Sequence, residues 1–397
     1  MIANIVHISL NARGGGERLA VATIKAISSM GMDVELSTIE KPDMALIRNA
    51  YGTGIDGDVK KIRTLNILER VSPRRYSVTV NTHGDMLPFY HKDFTKKNAI
   101  TYCHYPLASY MIDCGDPDYL GVLQNMRLLG MPPEVQSRYY DAARSAYIKM
   151  MLNSTVLTNS EFSRKAIFKT FDVDSIVLHP PVDVDIFRKA CLTSSKRDDS
   201  LLVISRIHPA KRIENAIHLA KLLYKNKVGT CMNIVGNMPP DGIGYFNYLS
   251  DLVRHYGLND FVRFKINVRF DRLLDLMRKS KVYVHPLPGE PFGMSTVEGM
   301  SAGIIPVVPD IGGPTEFVPT KYQFHTFGQG VQAVTEALAA PASERFQLSY
   351  STQKYSVANY VKRFQQILAE IMDIGKKPLE SKPVISLSKR PPESMTA

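Results

Sequence analysis

Short apolar runs and amphipathic stretches alternate along the first half of this chain. The runs at 2–10, 33–39, 77–81, 99–105, 156–159 and 176–178 are too short for helices and rich in β-branched residues, so they are read as strands. Between them, 17–30, 133–152 and 160–170 repeat apolar positions at helical spacing. Such alternation predicts an α/β fold with a parallel sheet covered on both faces. The stretch 113–133 keeps neither period and is expected to be loop or short helices over a surface.

The paired prolines of His179-Pro180-Pro181-Val182-Asp183 enforce extended backbone, and the polar run Ser194-Ser195-Lys196-Arg197-Asp198-Asp199 follows. An interdomain linker is therefore expected between Pro181 and Ser200. A second series then begins, with strands at 201–206, 232–235, 262–266, 282–285 and 305–308. Helices are expected at 212–225, 245–256 and 270–280, and another from about 292–295. Two Rossmann-like halves facing each other would place a ligand at the C-terminal ends of the strands. Past 330 the pattern is mostly helical, and 356–374 is amphipathic through Val357, Tyr360, Val361, Phe364, Ile367, Leu368 and Ile371. The expected division is a first domain over 1–190, a second over 191–355, a cross-over helix over 356–375 and a disordered basic tail over 376–397.

Composition narrows the class without naming a chemistry. A chain of 397 residues suits two domains, and 44% apolar with 22% charged residues describes an ordinary globular protein. No run approaches the roughly 18 apolar residues of a membrane span. The N-terminus reads as a first strand, lacking the basic and long apolar regions of a leader. Four cysteines without C-x-x-C spacing argue against a structural zinc site or disulfide framework and fit a cytoplasmic setting. The net charge of +11 is partly gathered in Lys60-Lys61-Ile62-Arg63 through Arg70 and Arg74-Arg75, with apolar residues interleaved. That pattern suits either peripheral contact with an anionic membrane or a solvated loop face. No nucleic-acid module is recognisable, so nucleic acid is not an expected partner.

The candidate chemistry centres on 289–303, where Glu290 and Glu298 stand eight positions apart around Phe292-Gly293-Met294. A strand, a Gly/Pro-rich loop and a helix start make an anion site, because free N–H groups and the helix dipole converge there. Carboxylates at its flanks accept hydrogen bonds from neutral groups such as hydroxyls, which points to a phosphate between hydroxyl-bearing groups. The segment resembles the E-x7-E motif of retaining GT-B glycosyltransferases of family 4, with Ala302-Gly303, Pro306 and Gly312-Gly313-Pro314 following in family order. The resemblance implies that Glu290 contacts donor-sugar hydroxyls, Glu298 the ribose, and the backbone around Phe292, Gly293 and Met294 the phosphates.

Other motifs fit the same frame. Gly14-Gly15-Gly16-Glu17 follows the first strand and opens a helix, letting backbone amides approach an oxyanion. It lacks the G-x-G-x-x-G of dinucleotide folds, and with Arg18 it resembles the G-G-G-E-R of the lipid-linked oligosaccharide α-1,2-mannosyltransferases. Arg206 and Lys211 sit five apart between strand and helix, as two cations converging on one diphosphate would, and fit the family's R-x4-K. His104, in His104-Tyr105-Pro106 at a strand end, resembles the family's cleft histidine near the reacting carbon; His83 is a second candidate, on the acceptor side. Ser160 in Asn159-Ser160-Glu161-Phe162-Ser163 reads as a helix N-cap. Asp116-Pro117-Asp118 and Asp183-Val184-Asp185 stand in the wrong context for a D-x-D metal motif, so no metal is expected.

Taken together, the resemblance implies a metal-independent retaining hexosyltransferase without a cofactor. Its donor would be GDP-mannose or another nucleotide sugar, and its acceptor a hydroxyl of a glycan or lipid-linked glycan. A UDP-sugar-dependent enzyme of cell-surface polysaccharide synthesis, a GT-B phosphorylase and a non-catalytic sugar-nucleotide binder are the alternatives.

Overall fold

The computed structural model describes residues 1–12, 14–65, 71–84, 93–106, 145, 147–191, 196–239 and 242–373. The first sheet holds β1 (Ile2–Val6), β2 (Asp33–Thr38), β3 (Val59–Thr64), β4 (Val78–Asn81), β5 (Ala99–Cys103), β6 (Thr155–Thr158) and β7 (Ile176–Val177). Their order is β3-β2-β1-β4-β5-β6-β7, parallel throughout. The second holds β8 (Asp198–Ile204), β9 (Cys231–Gly236), β10 (Val262–Ile266), β11 (Ser280–Val284), β12 (Ile305–Pro309) and β13 (Gln323–Phe324). Here the order is β10-β9-β8-β11-β12-β13, again parallel.

Both sheets reverse their strand order at the centre, between β1 and β4 and between β8 and β11. Loops leaving those strands diverge to opposite faces and open a crevice, which is where doubly wound sheets place ligands. The Gly14–Gly16 loop follows β1, the Arg206–Lys211 loop follows β8, and the Glu290 loop follows β11. Every motif singled out from sequence in these three loops therefore leaves a switch-point strand.

Central strands are buried on both faces: β4 and β5 are buried at every position, the polar Thr79, Asn81 and Thr101 included. Strand β3 differs, since Lys60 and Lys61 are exposed and it lies at the sheet edge. Part of the basic patch expected from sequence is thus an edge strand. Its neighbours carry counter-charges, with Lys60 3.8 Å from Asp33, Arg74 2.7 Å from Asp93 and Arg75 2.9 Å from Glu35. Arg70 lies outside the described residues, as do 113–133, most of 133–152, and the tail 376–397.

The expected linker contains structure of its own. Helix Val184–Cys191 buries Phe187 among Leu202, Val235 and Tyr283, packing on the second sheet. Helix Met44–Tyr51, capped by the Asp43 carboxylate, was likewise not anticipated. The final helix, Val357–Ile371, starts at a Ser356 N-cap and carries its apolar face back to the first domain. Tyr360, Phe364, Ile367 and Leu368 share a core with Leu19, Ile24 and Ile27 of helix Gly15–Ser28. Tyr360 OH and Thr23 Oγ1 lie 2.6 Å apart, and Gln365 Nε2 donates to Ala26 O at 2.9 Å. Each such buried side chain contributes about 2 kcal/mol, enough to hold the crossing helix down. No helix among the described residues is long and apolar enough to cross a membrane.

Candidate functional site

The second domain's wall is built by the turn from β11 into helix Met294–Ser301. Gly289 and Gly293 take left-handed backbone (φ +74° and +89°), which lets the loop double back before the helix. The Gly312-Gly313-Pro314 segment lies directly behind it: Gly313 N–H donates to Glu290 O at 2.8 Å. A Cβ on Gly313 would stand 2.2 Å from Pro291 O, so no other residue permits that approach. Gly293 supplies no side-chain cap, leaving the first-turn N–H groups of the helix without that partner.

Glu290 is the focus of this wall. Its Oε2 lies 2.9 Å from Lys211 Nζ and 3.7 Å from His285 Nε2. Burial pushes this carboxyl up, but the Lys211 ammonium and the His285 ring outweigh it and hold the group well below the usual range. Lys211 ends the short 3-10 turn Pro209–Lys211, capped by the His208 imidazole accepting from Ala210 N–H at 3.2 Å. Arg206 stands exposed beyond the end of β8 and forms no ion pair among the described residues. The structure therefore joins Lys211 to Glu290 and leaves Arg206 open to solvent. Nearby, Asn267 in left-handed backbone accepts from Met238 N–H at 3.0 Å, tying adjacent loops together.

Across the cleft the Gly14–Gly16 loop opens helix Gly15–Ser28. Glu17 Oε2 accepts from Gly14 N–H at 2.7 Å, and Glu17 Oε1 faces His7 Nε2 at 3.7 Å. Burial works to raise the Glu17 carboxyl, yet the nearby His7 ring and the backbone N–H groups bring it down to about 2. A Cβ on Gly16 would lie 3.8 Å from His104 Nε2 and from His7 Cε1, so the loop rests on these rings. A Cβ on Gly15 would lie 2.5 Å from Met294 Sδ, so the same loop touches the start of helix Met294–Ser301.

Three histidines line this wall. His104 Nε2 lies 3.2 Å from Thr82 O, and a carbonyl only accepts, so Nε2 carries the proton and Nδ1 is left as an acceptor. His7 Nδ1 pairs with Thr82 Oγ1 at 3.0 Å, and the His7 and His83 rings meet edge-on at 4.9 Å. Burial, together with the neighbouring His7, brings His104 down to about 4, although its bond to Thr82 O works the other way. Burial and the His7 and His104 rings bring His83 down to about 3. Both are neutral imidazoles at pH 7.

Glu298 lies on the helix after the loop, and burial raises its carboxyl, with Arg18 opposing and Asp183 reinforcing the rise. Arg18 of the first domain is itself paired with Asp183. Asp185 pairs with Arg188 at 3.2 Å, so both acids of Asp183-Val184-Asp185 are engaged by arginines; Asp116 and Asp118 lie outside the described residues.

Contacts also bridge the two walls. Ser160 accepts from Ser163 N–H at 3.0 Å as the expected N-cap, and donates to Pro291 O, beside Glu290, at 2.6 Å. Glu316 of the second domain accepts from Glu161 N–H and Phe162 N–H at 3.1 and 2.7 Å. Sequence reasoning missed His7, His285 and Glu316. The first two leave the C-terminal ends of β1 and β11, the same signal that singled out His104.

Residues 187–345 match the family described as Glycosyl transferases group 1. The fold is GT-B: a glycosyltransferase structure from Rickettsia africae superposes with a TM-score of 0.64 at 14% identity, covering 94% of this chain and 99% of that one. Among curated proteins, the chain is similar to the GDP-Man:Man(3)GlcNAc(2)-PP-Dol alpha-1,2-mannosyltransferase of Dictyostelium discoideum, 26% identical over 256 residues, covering 60% of this chain and 50% of the relative. The human protein of that name is 25% identical over 281 residues, covering 64% of this chain and 56% of the relative. The chain spans about half the length of these curated relatives.

Proposed function

We propose that this protein is a retaining glycosyltransferase that moves a hexose, mannose from GDP-mannose, to a hydroxyl of a glycan or lipid-linked glycan. The observation that carries the reading is the half-buried Glu290–Lys211 pair beside a helix N-terminus lacking a side-chain cap, with a triple-glycine loop facing it. The similarity to relatives named for GDP-Man supports the donor. Glu290 orients the sugar hydroxyls and Glu298 holds the ribose. Arg206, Lys211 and the amides after Phe292 neutralise the departing nucleoside diphosphate. His104, neutral with Nδ1 as acceptor, meets a sugar hydroxyl near the reacting carbon.

Transfer proceeds on one face of the sugar. The acceptor oxygen bonds to the anomeric carbon as the bond to the diphosphate oxygen breaks. The hydroxyl proton passes to the departing phosphate. Retention follows because attack and departure share that face. The charge that develops is met by protein cations and amides, which leaves no required role for a metal. Peripheral contact through the basic edge around Lys60 and Lys61 fits a lipid-linked acceptor.

Incubating the protein with labelled GDP- and UDP-sugars, with and without membrane lipid extract, tests the reading. Label moving from GDP-mannose to lipid or glycan is the expected outcome, and the product keeps the α configuration. Release of free sugar alone, or transfer only to phosphate, would replace it with a hydrolase or phosphorylase. EDTA is expected to leave the rate unchanged; loss restored only by Mg²⁺ or Mn²⁺ refutes metal independence.

A further inference from the structure

Lys211 is asked to do two things at once. In this structure its ammonium neutralises Glu290 at 2.9 Å, yet the proposed function needs it at the diphosphate. A buried carboxylate that loses its cation is costly unless another donor takes over. His285 occupies that place. It directly follows β11 and is 4% exposed, and its main chain is fixed by its N–H donating to Val307 O at 2.9 Å. Its Nε2 is buried without a hydrogen-bond partner and faces Glu290 Oε2 at 3.7 Å. A shift of about 1 Å closes that gap to hydrogen-bond length.

The ring's other nitrogen sets which proton it carries. Nδ1 lies 2.9 Å from Tyr283 OH, which is in turn 2.8 Å from Ser295 Oγ on the donor-side helix. Tyr283 is fully buried, and that burial keeps its hydroxyl protonated. If Tyr283 accepted from Nδ1, a neutral ring would turn a bare Nε2 lone pair toward a carboxylate. The favourable arrangement runs the other way: Ser295 donates to Tyr283, Tyr283 donates to Nδ1, and Nε2–H points at Glu290.

We propose that His285 is a positioning residue, held in one tautomer by Tyr283 and Ser295, whose Nε2–H keeps Glu290 aimed at the donor sugar when Lys211 engages the diphosphate. The proposal rests on the sugar-nucleotide reading and deepens it. It makes His285 matter for the sugar and not for the nucleotide.

Calorimetric titration of GDP-mannose against GDP separates the two. His285→Phe keeps the ring volume and removes both nitrogens; it is expected to weaken GDP-mannose about tenfold, with GDP binding unchanged. His285→Gln places an amide N–H where Nε2 stood and restores GDP-mannose binding, whereas His285→Asn mimics Nδ1 and does not. Tyr283→Phe, which preserves the packing, shows part of the same selective loss and serves if the His285→Phe chain fails to fold. Equal weakening of GDP and GDP-mannose, or rescue by Asn as good as by Gln, overturns the assignment. A wild-type chain that binds neither GDP-mannose nor UDP-glucose removes the functional reading and this proposal with it. Wild-type discrimination left intact in both His285→Phe and Tyr283→Phe removes this proposal alone.

Discussion

The two walls of the cleft treat charge in opposite ways. On the second domain, Glu290 and Lys211 face each other as a half-buried pair and Arg206 stands free in solvent, so charge is stored where a diphosphate would arrive. On the first domain, His83 and His104 are half-buried and neutral, packed around Gly16 and His7. On the proposed reading the second domain's wall answers charge that develops on a leaving group; on the other, neutral imidazoles lie close to the Glu17 carboxylate. A sugar transferred between them would leave toward the cations while its hydroxyls are held by neutral groups. The difference suggests that the walls fail differently when altered.

The charged wall is expected to give the largest effect. Lys211→Ala removes the cation proposed to meet the leaving group and strips the half-buried Glu290 carboxylate of its partner. Preorganised charges of this kind are worth about a hundredfold or more in rate. We expect kcat/KM for the sugar nucleotide to fall by at least about that factor, while the unfolding temperature moves little because Lys211 is 30% exposed. A loss below about tenfold would mean that the charge on this wall is structural.

The neutral wall should instead reveal itself through pH. A histidine held down to about 4 in the folded chain, as His104 is, takes up a proton near 6.5 once unfolded. Between those values the unfolded state binds more protons, so stability is complete above pH 6.5 and drains as pH falls toward 4. For His104 alone the loss is on the order of 3 kcal/mol at pH 4, and His83, brought down to about 3, adds a loss of similar size over the same range that continues toward pH 3. Denaturant unfolding midpoints from pH 7 to pH 4 check this, and His104→Gln should flatten the slope. A flat profile in the wild-type chain would show that the imidazoles titrate normally.

How much of this contrast was legible from sequence depends on the wall. The doubled α/β plan was readable because strands such as β12, Ile-Pro-Val-Val-Pro, are buried on both faces and so appear as short, nearly unbroken apolar runs. Glu290, Lys211, Gly14, Gly15 and Gly16 were readable because each sits in a loop of fixed spacing directly after a strand. Edge strand β3 was not, since its exposed Lys60 and Lys61 look like a charged surface segment when the pairing with β2 is unseen. Helix Val184–Cys191 was masked by the prolines before it and the polar run after it. The His7, His83 and His104 cluster was only half visible, because it joins residues from three strand ends far apart in the chain. The same holds for His285, whose importance lies in two neighbours that no spacing rule connects.

A smaller effect is expected where the walls approach each other. Glu298 extends from the charged wall, but its burial and the nearby Asp183 raise its carboxyl. Hydrogen bonds from ribose hydroxyls would reward its ionised form. Glu298→Ala is therefore expected to weaken donor binding about tenfold, with the fold and the unfolding temperature retained. Unchanged affinity for both GDP and GDP-mannose would remove its assignment to the ribose.

The smallest expected effect tests whether the contrast needs both walls held together. Glu316, exposed on the second domain, accepts the first two N–H groups of helix Glu161–Phe171 on the first domain. Ser160 at the same helix start donates to Pro291 O, one residue from Glu290. Glu316→Gln keeps one accepting oxygen but loses the charge that favours a helix N-terminus, a change worth about two- to fivefold in an equilibrium. If these contacts belong to a closed arrangement that assembles the site, that factor should appear in kcat/KM, with no change in the unfolding temperature, because each domain keeps its own core. It should also shrink at high salt, since the lost term is a charge acting on exposed donors. An equal drop in thermal stability would instead make Glu316 a helix cap that happens to lie on the neighbouring domain, and the two walls would then meet without being coupled.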